Sequence, residues 1–167
     1  MSPGSAGPGA LRVGQGFDVH PVSADPGRSL VLGGVAVPGA PGLDGHSDAD
    51  VLCHALADAV LGAAGLGDLG GHFPAGDPAW AGADSVDLLR RVSSMVADAG
   101  WRVVNGDCTV ICERPRLAEH TGAMGACLSE VVRAPVSVKA KRGEGLGALG
   151  RAEGIACVAV VLLTATS

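Results

Sequence analysis

The sequence has no tyrosine and only two phenylalanines and two tryptophans, so aromatic residues make up 2% of its 167 positions. A core without large rings must be assembled from Val, Leu and Ala, and such a core holds only if it is closely packed. Charged residues are also scarce at 17%, which excludes a coiled coil, while 47% apolar residues exclude a disordered chain. No Cys-x-x-Cys pair occurs. Cys53, Cys108, Cys112, Cys127 and Cys157 are odd in number and scattered, as expected of free buried thiols in a reducing compartment. There is no excess of positive charge. A formal charge of −5 excludes nonspecific nucleic-acid binding, which depends on neutralising phosphates with Lys and Arg. No uncharged apolar run is long enough to span a membrane and no secretory h-region opens the chain. The expectation is a cytoplasmic protein without a membrane partner.

Glycine is abundant instead, at 27 residues. Residues 1–10 are a Pro/Gly/Ser segment, read as a disordered tail, and residues 11–167 as a single domain. Residues 11–20 read as a strand, and residues 29–37 as a short hairpin turning at Gly33-Gly34. A Pro/Gly loop follows over 38–45. Ser47 precedes Asp50 by three residues, a capping box with Asp in place of Glu, and a helix is predicted from Val51 to Leu66. After a loop to about Gly82, a second helix starts at Asp84 or Ser85 and closes at Gly100. Residues 101–113 alternate as a strand broken by Pro115, residues 119–133 form a third helix, and residues 136–141 a strand. Residues 143–154 are a Gly-rich loop, and Ile155 to Thr164 a last strand. The order β-β-β-α-α-β-α-β-β implies a two-layer α/β (α+β) sandwich with the helices on one face of a mostly β sheet. A second apolar sheet face then needs a partner, which oligomerisation supplies.

Four clusters carry chemistry. Asp18 and His20 stand two apart on a strand and so share a face; a carboxylate with a neutral imidazole suits zinc or a similar metal. The same pair equally fits a surface Asp beside a hydrogen-bonded His. His46-Ser-Asp-Ala-Asp-Val-Leu-Cys-His54 puts His54 one helical turn after Asp50, where Asp50 either orients a ligand imidazole or forms a solvent-facing pair with it. If that face meets the first strand, His54 completes a three-ligand site with an open position, the hallmark of a catalytic centre. His46 and Ser47 lie at the helix N-terminus, where free N–H groups attract phosphate. Gly67-Asp-Leu-Gly-Gly-His-Phe-Pro74 allows close backbone approach, with Asp68 able to accept sugar hydroxyls. Finally, Lys141-Arg142-Gly143-Glu144 and Arg151-Ala-Glu153 combine cations, carboxylates and glycines, which fits either a phosphate-and-Mg²⁺ loop or a solvated basic turn.

Together, Arg12-Val-Gly-Gln-Gly-Phe-Asp-Val-His20, the His46–His54 segment, Gly65-Leu-Gly-Asp-Leu-Gly70 and Gly154-Ile-Ala156 resemble the 2-C-methyl-D-erythritol 2,4-cyclodiphosphate synthase family from about residue 11 to 165. The resemblance implies a homotrimer with each sheet turned toward the central axis and active sites between subunits. It implies conversion of 4-diphosphocytidyl-2-C-methyl-D-erythritol 2-phosphate to the cyclic diphosphate with release of CMP. By position, Asp18, His20 and His54 match zinc ligands, and Glu144 a ligand of Mg²⁺ or Mn²⁺. His46 and Ser47 match phosphate contacts, and Asp68, Leu69 and Gly70 the ribose side. Phe73 and Asp77 fall in a neighbouring substrate loop. Cys112, Pro115, Arg116, Leu117 and Ala118 match a loop folded over the cytosine by a neighbouring subunit.

The chain departs from the family pattern mainly after residue 140. Lys141-Arg142-Gly143 replaces a Thr run whose middle member is credited with stabilising the transition state, so Arg142 joins His46 as a catalytic candidate. Ala148 replaces a Phe and Leu149 a Thr, while Arg151 and Glu153 keep an altered anion site along the axis. Gln15 replaces a common His, and Ala75 an Asp. A divergent metal-dependent phosphohydrolase and a non-catalytic cytidine-nucleotide-binding trimer are the alternative readings.

Overall fold

The computed structural model describes residues 9–166, so most of the tail expected over 1–10 lies outside the described residues. Strand β1 (Leu11–Pro21) leads into a hairpin of β2 (Ser29–Leu32) and β3 (Val35–Pro41), and then into helix α1 (Val51–Ala64). Short helices α2 (Leu69–His72) and a 3-10 turn (Pro78–Trp80) precede α3 (Ser85–Asp98). Then come β4 (Trp101–Ile111), α4 (Thr121–Val132), β5 (Val136–Lys141), the short α5 (Gly147–Gly150) and β6 (Gly154–Ala165). The principal sheet has the order β1-β6-β4-β5, antiparallel except for the β4-β5 pair, and β2-β3 stand apart as a two-stranded ribbon.

The elements follow the expected order, with three physical differences. The stretch read as a loop before residue 82 holds two helical turns and that over 143–154 holds one, and the turn at Leu69–His72 is capped by Asp68. The strand after the hairpin runs on through Pro41, because Ser29 still pairs with it. The helix cap also differs. Asp50, not Ser47, caps α1, its carboxylate accepting the N–H groups of Leu52 and Cys53 at 3.0 and 3.2 Å. The same carboxylate accepts the N–H groups of Gly33 and Gly34 at 2.8 and 2.7 Å. Both glycines have positive φ, 58° and 73°, as the tight hairpin turn requires. Burial raises the Asp50 carboxyl above its ordinary value while these N–H donors oppose that rise. Asp50 therefore pins the hairpin to the start of α1. It does not orient an imidazole, nor does it face solvent.

Helix α1 is buried nearly all round, from Val51 to Ala64, between the sheet and α3. Its alanines and the glycines of β1 bring two backbones together. A Cβ built on Gly14 would lie 1.9 Å from the carbonyl oxygen of Ala59, and one on Gly16 would lie 1.9 Å from that of Ala55. Leu88, Leu89, Val92 and Val96 of α3 and Met124, Leu128, Val131 and Val132 of α4 complete the helical layer. All three long helices share one face of the sheet. Leu11, Val13, Phe17 and Val19 of β1 and Val160 of β6 lie on the other face, exposed.

Because Gly16 touches backbone rather than a flexible side chain, Gly16→Ala forces α1 away from β1. The expected cost is about 2–3 kcal/mol in urea unfolding. Metal uptake should weaken as well, since the separation moves His54 off Asp18. A variant of unchanged stability would show that the approach is slack.

Candidate metal centre and substrate cleft

The close contact of β1 and α1 sets the site. Asp18 and His20 project from the helix-facing side of β1, two residues beyond Gly16. His54 precedes Ala55, whose carbonyl occupies the space a Cβ on Gly16 would need. Asp18 Oδ2, His20 Nε2 and His54 Nδ1 form a near-equilateral triangle, with separations of 3.0, 3.2 and 3.3 Å. A tetrahedral zinc with bonds of about 2.0–2.1 Å spaces its donors about 3.3 Å apart, so the residues present fit a small divalent ion. Among the described residues, this is the one group of three or more potential metal donors that converge. His20 donates its Nδ1–H to the Asp44 carbonyl at 2.8 Å, which leaves the Nε2 lone pair for the metal. His54 Nε2 lies 2.8 Å from Ser85 Oγ and 3.2 Å from Ser47 Oγ.

The triangle is electrostatically primed. Burial tends to raise the Asp18 carboxyl, but hydrogen bonds and charge from His20 and His54 outweigh it, and the group is held well below its ordinary value. The hydrogen bond to Asp18 raises His20 above its ordinary value.

The triad floors a cavity of about 270 Å³, walled by Leu69, Gly70 and Phe73 on one side and by His46 and Ser47 on another. Arg28 holds the His46–Ser47 segment in place by donating to the carbonyls of Gly45, at 3.0 Å, and Ser47. His46 Nε2–H donates to the Asp77 carbonyl at 3.1 Å. The Asp68 and Asp77 carboxylates accept N–H groups of their own turns, from Gly71 at 2.8 Å and Ala79 at 2.9 Å. Neither carboxylate lines the cavity; the residues around them do. Ala75, expected in the substrate loop, lines it too, as do Trp80 and Leu88, which were not anticipated. The Phe73 and Trp80 rings meet edge to face at 4.9 Å.

The remaining expected residues lie elsewhere within the protomer. Glu113, Arg114, Pro115, Arg116 and Arg142 surround a second hollow of about 350 Å³. Arg142 forms an ion pair with Glu113. The Cys112 thiol is buried, donates to the Arg114 carbonyl at 3.0 Å, and is pushed up to about 11 by burial. Leu117 is 3% exposed and belongs to the core, whereas Arg116 and Ala118 are exposed. Lys141, Glu144 and Ala148 are exposed, with Glu144 at φ 51° outside the metal triad, and Arg151 pairs with Glu153 at 2.6 Å.

Fold and site thus define a mixed α/β protein with a three-donor group able to hold a metal beneath an open cleft. The YgbB family profile matches residues 11–164. The 2-C-methyl-D-erythritol 2,4-cyclodiphosphate synthase of Symbiobacterium thermophilum is 56% identical over 157 residues, covering 92% of this chain and 98% of that protein. The bifunctional IspDF of Campylobacter jejuni superposes with a TM-score of 0.90 at 37% identity over 95% of this chain, which spans 43% of the Campylobacter chain. The Plasmodium falciparum IspF complex with CDP superposes with a TM-score of 0.82 at 30% identity, covering 95% of this chain and 99% of that one. The chain belongs to the YgbB family, that of the 2-C-methyl-D-erythritol 2,4-cyclodiphosphate synthases. No helix among the described residues is long and apolar enough to cross a membrane.

The titrations predict how metal uptake varies with pH. Stability from the lowered Asp18 carboxyl is present above its ordinary 3.8 and is lost as the pH falls through its folded value. Stability from the raised His20 is full below 6.5 and is lost as the pH rises through its folded value. A metal needs the His20 nitrogen free, so uptake should tighten as the pH rises through that same value, with release of a proton. Calorimetry in buffers of different ionisation enthalpy should show proton release at pH 6 that declines toward pH 9. Release that does not vary with pH would contradict this assignment.

Proposed function

We propose that the chain converts 4-diphosphocytidyl-2-C-methyl-D-erythritol 2-phosphate to 2-C-methyl-D-erythritol 2,4-cyclodiphosphate and CMP. The observation that carries this reading is the Asp18–His20–His54 triangle beneath the cleft wall of His46 and Ser47, in a chain of this family. An oxygen of the 2-phosphate attacks the β-phosphorus, a new P–O bond closes the ring, and the bond to the CMP phosphate breaks. The nucleophile belongs to the substrate, so no side chain need generate one. Catalysis then rests on positioning and on offsetting negative charge.

Asp18, His20 and His54 would hold zinc or a similar ion, and Glu144 would share Mg²⁺ or Mn²⁺ with the diphosphate. Bound there, such ions neutralise phosphate oxygens and ease departure of the leaving group. The chain supplies the rest. His46 and Ser47 contact phosphate at the cleft wall. Leu69 and Gly70 meet the ribose side through backbone, with Asp68 fixing their turn, and Phe73 and the Asp77 turn close the far side. Cys112, Pro115, Arg116, Leu117 and Ala118 grip the cytosine of a neighbouring subunit's site. Burial of the Leu117 side chain and the Cys112 thiol leaves backbone groups as their contacts. Lys141 and Arg142 present cations in place of the family's hydroxyls, and the Glu113 pair ties Arg142 to the cytosine loop. Ala148 and Arg151 flank the axial anion site.

A homotrimer is part of the proposal. Its support is the apolar outer face of β1 and β6, with Val13 70% and Phe17 53% exposed. A further support is that the loop matched to cytosine borders a hollow separate from the metal cleft, which a second copy could bring together with it.

Incubation with the cytidyl substrate, Zn²⁺ and Mg²⁺ should yield cyclic diphosphate and CMP in equal amounts. His54→Ala should lose both bound zinc and CMP formation. CMP with an uncyclised product would instead indicate a hydrolase, and binding without CMP a nucleotide-binding trimer. Phe17→Glu should sediment as a monomer and lose turnover while keeping its zinc. A trimeric Phe17→Glu variant would move the interface elsewhere.

A further inference from the structure

One buried group at the metal centre has no role in the reading above. Ser85, the first residue of α3, is 1% exposed and 31 residues away from His54 in sequence, yet its Oγ lies 2.8 Å from His54 Nε2. The same hydroxyl is hydrogen-bonded to the carboxylate of Asp48. That carboxylate acts as an acceptor on both oxygens, taking the N–H of Ser85 on Oδ2 at 3.1 Å and that of Asp50 on Oδ1 at 3.3 Å.

A hydroxyl has one proton to give. With Asp48 accepting, the Ser85 proton is committed to Asp48, and Ser85 Oγ faces His54 as an acceptor. His54 Nε2 must therefore carry the hydrogen. Ser47 Oγ, 3.2 Å from Nε2, accepts the N–H of Ala49 and has Ser85 Oγ at 3.4 Å to take its own proton, which places it as a second, weaker acceptor. In the neutral ring this proton order leaves the Nδ1 lone pair free, and Nδ1 is the atom 3.0 Å from Asp18 Oδ2 and 3.3 Å from His20 Nε2.

We infer that Ser85, backed by Asp48, is a positioning residue that fixes His54 as the Nε2–H tautomer and aims its Nδ1 lone pair at the metal position. The inference rests on the metal reading for its purpose but not for its geometry. His20 is held in the same way by a backbone carbonyl, whereas His54 depends on a side-chain relay contributed by another helix. Docking of α3 on α1 thereby becomes a condition for metal binding, and the segment 46–48 that borders the phosphate cleft is tied to the same ligand.

Ser85→Ala tests this, because it keeps the N–H that meets Asp48 and the Asp84 cap of α3. Nitrogen-15 NMR of the metal-free protein at pH 8 should show His54 protonated at Nε2 in the wild type and as a mixture of tautomers in Ser85→Ala. Zinc affinity, read by competition with a chromophoric chelator, should fall about 10–100-fold, the usual cost of losing a partner of a ligating histidine. Ser85→Thr should restore both readouts. Should Ser85→Ala fail to fold, Ser85→Cys, a poorer acceptor, decides by the same measurements. Unchanged tautomer and affinity in a folded variant would overturn the relay. A wild type that takes up no zinc would overturn the metal reading instead, and the tautomer measurement would still decide the role of Ser85.

Discussion

Everything at the site depends on how closely α1 lies against β1. Two glycines on the helix-facing side of the strand, Gly14 and Gly16, leave no room for a Cβ between the strand and the helix carbonyls of Ala59 and Ala55. Any side chain there would hold the helix off by the width of a methyl group or more. Three metal donors placed 3.0–3.3 Å apart tolerate no such gap. The scarcity of large side chains is thus a condition of the site as well as of the core. Small residues let two backbones meet, and the meeting brings a carboxylate and two imidazoles from distant positions into one triangle.

Much of this was legible in the sequence, because it follows from local rules. Period-2 alternation placed Asp18 and His20 on one face, and helix periodicity with a glycine stop placed His54 near the start of α1. The Gly33-Gly34 turn was legible for the same reason. The partners of those residues were not. Asp50 looked like part of a capping box opened by Ser47, or like an aid to His54, since sequence shows neighbours four apart and not the hairpin folding back from residue 33. Ser85 and Asp48 gave no signal beyond that of a helix start and an acidic residue in a loop. A hydrogen bond between positions 31 apart leaves no periodic trace. Leu117 entered through the family match rather than through any local pattern, and nothing in the sequence signalled that its side chain lies in the core with only its backbone open to a ligand.

The region that differs most from the family pattern, residues 141–149, is also where charge has been rearranged. Lys141 and Arg142 put a cation pair at the end of β5, outside the lining of the metal cleft. Glu113 answers it, on the neighbouring strand end and paired with Arg142. Such a half-exposed pair contributes little stability. Its value lies in geometry, because it links the end of β5 to the loop after β4. Any shift of the Arg142 guanidinium is therefore felt in the loop that carries Glu113.

The stretch from His46 to His54 shows how densely one helix entry can be used. His46 bonds the Asp77 turn, Ser47 faces the cleft, and Asp48 receives Ser85 of α3. Asp50 turns inward to the hairpin, and His54 outward to β1. Two carboxylates two positions apart serve different neighbours, Asp48 the start of α3 and Asp50 the hairpin turn and the start of α1. Ala49, with φ 59°, is the backbone reversal that lets them diverge. A left-handed residue without a glycine is costly, of order 1 kcal/mol or more, and persists where surrounding bonds over-determine it. Here they do: the Ala49 N–H is taken by Ser47, the Asp50 N–H by Asp48, and the Asp50 carboxylate by four amides. The strain is held at the point where the phosphate-facing segment becomes the helix that carries the metal ligand, so neither can shift without the other.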